Sequence, residues 1–370
     1  MFNLSNNLKR SFDILWKYKV LWIFAFLLAM TSGSSSGGSS GVGWNFPTNS
    51  QSEQWGQLGG QWQVWMNQVQ TWFTENINPL FATEQRVLNT SLWIIAGVVL
   101  LALLVGLLFA LVRYPTESAI IRMVDEYETS GTRVRFKEGW KLGWTHRAFR
   151  LWVIDLILAI PTLLLVALII GVTLLALTTA YNSWPAVVPG SWIALAVVGV
   201  LIALVLILGT IFLGILRNFF MRATVLEDTT IGESFRRGWQ VFIQNAKNTF
   251  LVWLVLIGVR IAVNVAMILV FFLLIPIYII LLIPGAIIAA IPSAIGYGIT
   301  SIFTPQVLPW IVAAIVGLPF LLVVVFAPLI LIGGLWELYR SNNWTLAYRQ
   351  FTGHEVIPEA AVETPPALPG

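Results

Sequence analysis

The chain has 370 residues, of which 58% are hydrophobic and only 10% charged, with a mean hydropathy of +0.82. Soluble domains carry about 25% charged residues, so this composition excludes a soluble globule as well as disordered and collagen-like chains. The net charge of +4 comes from 21 Lys+Arg that sit beside apolar runs rather than on a polar module, which excludes nucleic acid as a partner and points to anionic lipid headgroups. With no cysteine there is no disulfide, thiolate nucleophile, Cys-ligated zinc or lipoprotein attachment.

Residues 20–30 form the first apolar core, after Lys17 and Lys19 and before a Gly/Ser tract at 31–43. A basic start, a short apolar core and small residues are also the parts of a cleaved leader. The long amphipathic segment before this core recurs later in the chain, which favours a retained anchor with Trp16, Lys17, Tyr18 and Lys19 at the interface. Next, Trp55, Leu58, Trp62, Trp65, Met66, Val69, Trp72 and Phe73 are spaced by three and four, with Gln and Asn between them. That spacing places Trp55, Trp62, Trp65 and Trp72 on one helix face, an interfacial helix on the outer leaflet or an aromatic platform for a ligand.

Clear spans follow at 92–112, 151–179, 191–216, 250–274 and 310–336, making six with the first anchor. The apolar stretch 276–309 contains Pro276, Pro284, Pro292, Pro305 and Pro309, so it is expected to be a broken hairpin dipping into the outer leaflet; a seventh span is the alternative. Nineteen of the 21 Lys and Arg fall in 1–19, 113–150, 217–249 and 340–370. The positive-inside rule then puts both termini and both long polar loops in the cytoplasm. The tail 356–370, rich in Pro and Ala, reads as disordered.

A repeat runs through this pattern. Phe136-Lys137-Glu138-Gly139-Trp140 and Phe235-Arg236-Arg237-Gly238-Trp239 lie 99 residues apart, and Leu8-Lys9-Arg10-Ser11-Phe12 fits the same form loosely. Each begins an amphipathic lead-in helix that runs into a span, with Trp140, Trp144 and Trp239 as interfacial aromatics. The Gly or Ser before each aromatic residue leaves room for another helix to approach closely. The expected fold is therefore all-α, a polytopic bundle of about six spans in three hairpin repeats. The repeats cover 1–112, 113–216 and 217–339, followed by a cytoplasmic tail at 340–370.

These lead-in motifs, with the opening Trp16-Lys17-Tyr18-Lys19-Val20-Leu21-Trp22, resemble a broad group of bacterial multispan proteins. That group includes the membrane domain attached to some glycerophosphodiester phosphodiesterases. The resemblance implies a bacterial cytoplasmic membrane and a six-helix bundle. It carries over no catalytic residue, because the hydrolase chemistry of those enzymes resides in a separate soluble barrel.

Little in the sequence points to catalysis. His146 and His354 are the only histidines, and His354-Glu355 has no second His at zincin spacing. Gly296-Tyr297-Gly298 is not a phosphate-cradling loop, and no nucleophile accompanies His146 and Asp155. No cofactor or metal is expected. The polar residues within spans draw the eye: Asp155 about one turn into the third span, and Arg260 about 15 Å into the fifth at ~1.5 Å per residue. Asn264 follows Arg260 at i+4. Such residues face bundle interiors and pair, so Arg260 and Asn264 are expected to face inward with Asp155 as a candidate partner. That group is either a structural lock or a site for an anionic substrate. The functional expectation is a non-enzymatic scaffold or accessory subunit binding membrane lipids or other membrane proteins. The alternatives are a carrier with a polar site near Arg260, and a membrane-bound lipid-processing enzyme.

Overall fold

A computed structural model describes residues 2–31, 67, 70–71, 74–75, 84–182, 189–302 and 308–353. The aromatic face of Trp55, Trp62, Trp65 and Trp72, His354 and the tail beyond it lie outside the described residues. Among the described residues the fold is all-helical. Its principal helices are α1 (Leu4–Lys17), α2 (Leu21–Thr31), α3 (Glu84–Ser130), α4 (Phe136–Gly143), α5 (His146–Asn182), α6 (Pro189–Leu226), α7 (Ile231–Gln244), α8 (Ala246–Leu273), α9 (Ile275–Ser301), α10 (Leu308–Val325) and α11 (Ala327–Thr352). Four helical stretches are long and apolar enough to cross a bilayer alone, and up to six if the bent pairs α1–α2 and α10–α11 each count as one span. The protein is thus an all-helical membrane protein with four to six candidate spans among the described residues.

The chain divides into two compact units. One comprises Met1–Ser39, Phe109–Val265 and Leu331–Gly370; the other comprises Ser40–Leu108 and Ala266–Ile330.

In the first unit the helix ends are set by local chemistry. The Asn3 side chain accepts from the Asn6 amide at 3.2 Å to cap α1, and α2 leaves at 101° to it. The Tyr18 hydroxyl, donating to the Val134 carbonyl at 2.7 Å, pins that bend. Glu138 and Glu233 accept from the backbone amides of Arg135 and Thr230, holding the first turns of α4 and α7. α3 and α11 are followed by Gly131 and Gly353, both in the left-handed region with φ of 69° and 75°. After α6 the same conformation falls on Asp228, at φ 51°.

Three apolar cores fill this unit. Ile14, Leu15, Leu21 and Phe24 of α1–α2 pack with Ile120, Met123 and Val124 of α3 and with Leu338 and Leu346 of α11. Leu151 and Ile154 of α5 pack with Ile121 of α3 and with Leu216, Phe220 and Met221 of α6. Val252 and Leu256 of α8 pack with Phe219 and Ala223 of α6 and with Trp344 and Tyr348 of α11. Each of α3, α6 and α11 therefore contributes to two cores.

The short helices α1, α4 and α7 turn small or polar residues inward. Ser11, Gly139, Gly143, Ser234 and Gly238 are buried, while Phe12, Trp16, Trp144, Trp239 and Ile243 are exposed. A Cβ on Gly139 would stand 2.5 Å from Met123 Sδ, and one on Gly238 would stand 2.5 Å from Phe220 Cδ1. One on Gly143 would run into the Pro115 carbonyl oxygen, which is backbone and cannot swing away. The glycines are where α4 and α7 touch the helices before them.

The second unit is built around α9 and α10. Contrary to the broken hairpin expected at 276–309, α9 is one continuous helix that carries Pro284 and Pro292 inside it. Each proline forfeits a single amide bond while its fixed φ stays helical, and any other path in hydrocarbon would strand more backbone groups. Helical bonding also crosses the junction with α8: the Leu274 amide donates to Val270 and the Tyr278 amide to Leu274. α9 presents Gly285, Ala289, Ser293 and Gly296 to Leu321, Gly317, Val312 and Val316 of α10. Rings close both ends of the contact, with Tyr278 against Phe326 at 5.6 Å and Tyr297 against Trp310 at 4.8 Å.

Candidate functional site

The most concentrated polar constellation lies in the first unit, where α3, α5 and α6 meet. Arg217 of α6 reaches two carboxylates at once. Its Nε and Nη2 donate to Asp155 Oδ1 and Oδ2 at 2.5 and 2.9 Å, and its Nη1 and Nη2 donate to Glu117 Oε1 and Oε2 at 3.0 and 2.8 Å. The Tyr114 hydroxyl adds a hydrogen bond to Asp155 Oδ2 at 3.0 Å, and Arg113 Nη2 stands 3.7 Å from the same oxygen. The guanidinium of Arg113 in turn lies over the Tyr114 ring at 5.5 Å. A planar fork serving two acids is what arginine, and not lysine, can provide. Removing the arginine would leave two carboxylates facing each other with little water, which is why the group works as a lock.

One turn further along α6, Arg222 is 3% exposed. Its donors go to neutral oxygens: Nη1 to the Asn218 carbonyl at 2.9 Å and Nη2 to the Ser341 carbonyl of α11 at 3.0 Å. Among the described residues no carboxylate lies within ion-pair distance of it, and its Nε has no hydrogen-bond partner. Arg222 thus ties α6 to α11 through neutral acceptors, the Ser341 carbonyl and hydroxyl, with the Asn218 side-chain oxygen also accepting from Nη1 at 3.3 Å.

Further ion pairs ring the same unit. Arg349 of α11 grips Asp125 of α3, with Thr129 Oγ1 at 3.2 Å. Arg10 of α1 meets Glu128 of α3 at 2.9 Å, and the Asn7 amide nitrogen donates to the Asn343 carbonyl. Arg237 and the Tyr348 hydroxyl both engage Glu227. Arg147 and Arg150 converge on Asp228 at 2.9 and 3.1 Å, and the hydrogen bonds from Arg147 hold the Asp228 carboxyl below the ordinary carboxylate range. The Arg349–Asp125 contact joins the end of α11 to the end of α3.

The sequence-predicted residues are distributed unevenly. Asp155 is in the polar centre, but its ion-pair partners are Arg217 and Arg113 rather than Arg260. Arg260 is half-buried on α8 and Asn264 is exposed, so the expected inward-facing pair is not formed at Asn264. Hydropathy reads depth along a helix but not which way its face is turned. Trp140 stacks on Trp144 at 5.9 Å and on Phe136 at 6.3 Å, making an aromatic ladder along α4. Trp239 meets Phe212 at 6.3 Å.

Sequence reasoning missed Glu117, Arg113, Tyr114, Arg217 and Arg222. A signal was present: Arg113 and Arg217 each come directly after a long apolar run, where the sequence first turns polar. Among the described residues no three His, Asp or Glu side chains gather as a metal site would require.

No curated protein and no solved structure matches the chain. Residues 9–342 match the model of a family of unknown function, and the chain belongs to that family, DUF7544.

Proposed function

We propose that the protein is a non-enzymatic scaffold or accessory subunit of the bacterial cytoplasmic membrane, with both termini, α4 and α7 on the cytoplasmic side. In this reading three hairpins, each with a lead-in helix, pack within the first unit through three cores that α3, α6 and α11 share pairwise. The observation that carries it is the use made of the polar side chains. Arg217, Arg10 and Arg349 each bind helix to helix and Arg237 holds Glu227 just after α6, so these charges are engaged in assembly rather than presented to a substrate. The three shared cores, and the left-handed residues Gly131, Asp228 and Gly353 after α3, α6 and α11, support the threefold arrangement.

The test is cross-linking in native membranes followed by affinity purification. A companion protein or lipid recovered at a fixed ratio supports the reading. Purified protein that alone moves a solute across liposomes, or turns over a lipid, contradicts it. One observation favours the carrier as a second reading: Arg222 is a buried cation facing only neutral acceptors. Its flux would fall with Arg222→Gln.

A further inference from the structure

Two adjoining hollows open between α3, α4 and the start of α5, of about 410 and 310 Å³, and Arg122 and Thr145 line both. Their charges differ in how far they are already satisfied. Asp228 is taken by Arg147 and Arg150, and Glu138 accepts from the Arg135 amide. Arg122, by contrast, makes no hydrogen bond or ion pair among the described residues, with Arg147 as a like charge and Glu126 and Asp228 as opposite charges acting on it from further off. Lys141 on α4 is exposed and equally uncommitted. The Thr145 hydroxyl is buried and has no hydrogen-bond partner. Glu126, one turn after Arg122, is the acid on the rim that is not engaged elsewhere.

A guanidinium, an ammonium and a hydroxyl lining one space, all with donors to give, match the non-bridging oxygens of a phosphate group. Phe136 and the half-buried Trp140 lie on the same helix that supplies Lys141, and Trp144, at its C-cap, is 54% exposed. Aromatic rings of this kind settle at headgroup depth.

We propose that Arg122, Lys141 and Thr145 form a binding site for a phosphate-bearing anion, of the kind an anionic phospholipid headgroup supplies. The proposal deepens the scaffold reading by naming its ligand chemistry, and it rests on the membrane placement given there. A soluble anion would satisfy the same donors, so the experiment distinguishes the two sources.

Full-length protein in a neutral detergent is titrated with phosphatidylglycerol, with phosphatidylcholine and with inorganic phosphate, reading thermal stability. Phosphatidylglycerol is expected to raise Tm by several degrees, phosphatidylcholine to leave it unchanged, and the double variant Arg122→Gln/Lys141→Gln to lose the rise. A rise with inorganic phosphate at low millimolar concentration, lost in the same variant, also supports the site and identifies a soluble anion as its ligand. No rise with either phosphate source, or an equal rise in wild type and variant, overturns the proposal. Should the double variant fail to fold, Glu126→Gln serves instead: it removes the competing acid and is expected to shift half-saturation several-fold lower, and an unchanged or weaker response overturns the proposal. Solute flux or lipid turnover by the purified protein would sink the scaffold reading without moving this titration.

Discussion

Where α3, α5 and α6 meet, one arginine spans two carboxylates; where α9 meets α10, the contact is Gly285, Ala289, Ser293 and Gly296 against a valine and leucine surface. Both are ways of joining helices when lipid supplies no hydrophobic driving force between them. An ion pair gains from low dielectric but must offset its own desolvation, so it suits helix ends near water. Close approach at small residues needs only dispersion contacts and suits a segment with no charge at all. The difference teaches that the two joints should fail for different reasons.

The largest expected effect is at the polar joint. Arg217→Gln strands Glu117 and Asp155, and breaking a buried pair of this kind costs about 3–5 kcal/mol, toward the lower end here because the three side chains keep 13–18% exposure. Detergent-solubilised variant should show a large fall in Tm or in membrane abundance. The triple variant Arg217→Gln/Glu117→Gln/Asp155→Asn should recover much of it, since no unpaired charge remains. A triple variant no better than the single one would break the comparison.

Next come the close approaches. Gly143→Ala meets backbone at the Pro115 carbonyl and should cost about 1–3 kcal/mol, as overpacking does, read as a lower Tm. In the hairpin, Gly317→Ala would strike the Ser293 hydroxyl, which Ser293→Ala should partly relieve, whereas Gly285→Ala faces the movable Leu321 Cδ1 at 3.1 Å and should cost less. Equal costs at positions 143 and 285 would argue against the contacts as described.

The smallest effect is at the surface clamp on Asp228. Its carboxyl is held below the unfolded value of about 3.9 by hydrogen bonds from Arg147. The stabilisation is therefore fully present above that value and lost as pH falls through the lower folded one. The hydrogen-exchange protection factor in the stretch after α6, corrected for the intrinsic pH dependence of amide exchange, should hold down to about pH 4 and fall below it. Asp228→Asn should exchange fast at neutral pH too; a loop indifferent to both changes would leave the clamp without a role.

Much of the architecture was legible in the sequence because spans announce themselves by run length, and the Phe/basic/Gly/Trp motifs fall on α4 and α7. The close approach at Gly139 and Gly238 was readable too, because a glycine within an amphipathic motif leaves room for another helix to approach. The helix through Pro284 and Pro292 was not, because proline statistics from water overstate its effect where no solvent competes for the backbone. Nor was the partner of Asp155. Arg217 looked like an ordinary interfacial cation at a span end, and only the packing of α6 against α3 and α5 turns it onto Glu117 and Asp155.

The account stands on α11 returning to the side of the membrane that holds the end of α3. The chain has no cysteine, so single cysteines report cleanly. Lys137→Cys and Gly353→Cys, labelled in intact cells and in inverted vesicles with a membrane-impermeant maleimide, should both react only in the inverted vesicles. Labelling of the two positions from opposite sides would contradict the account.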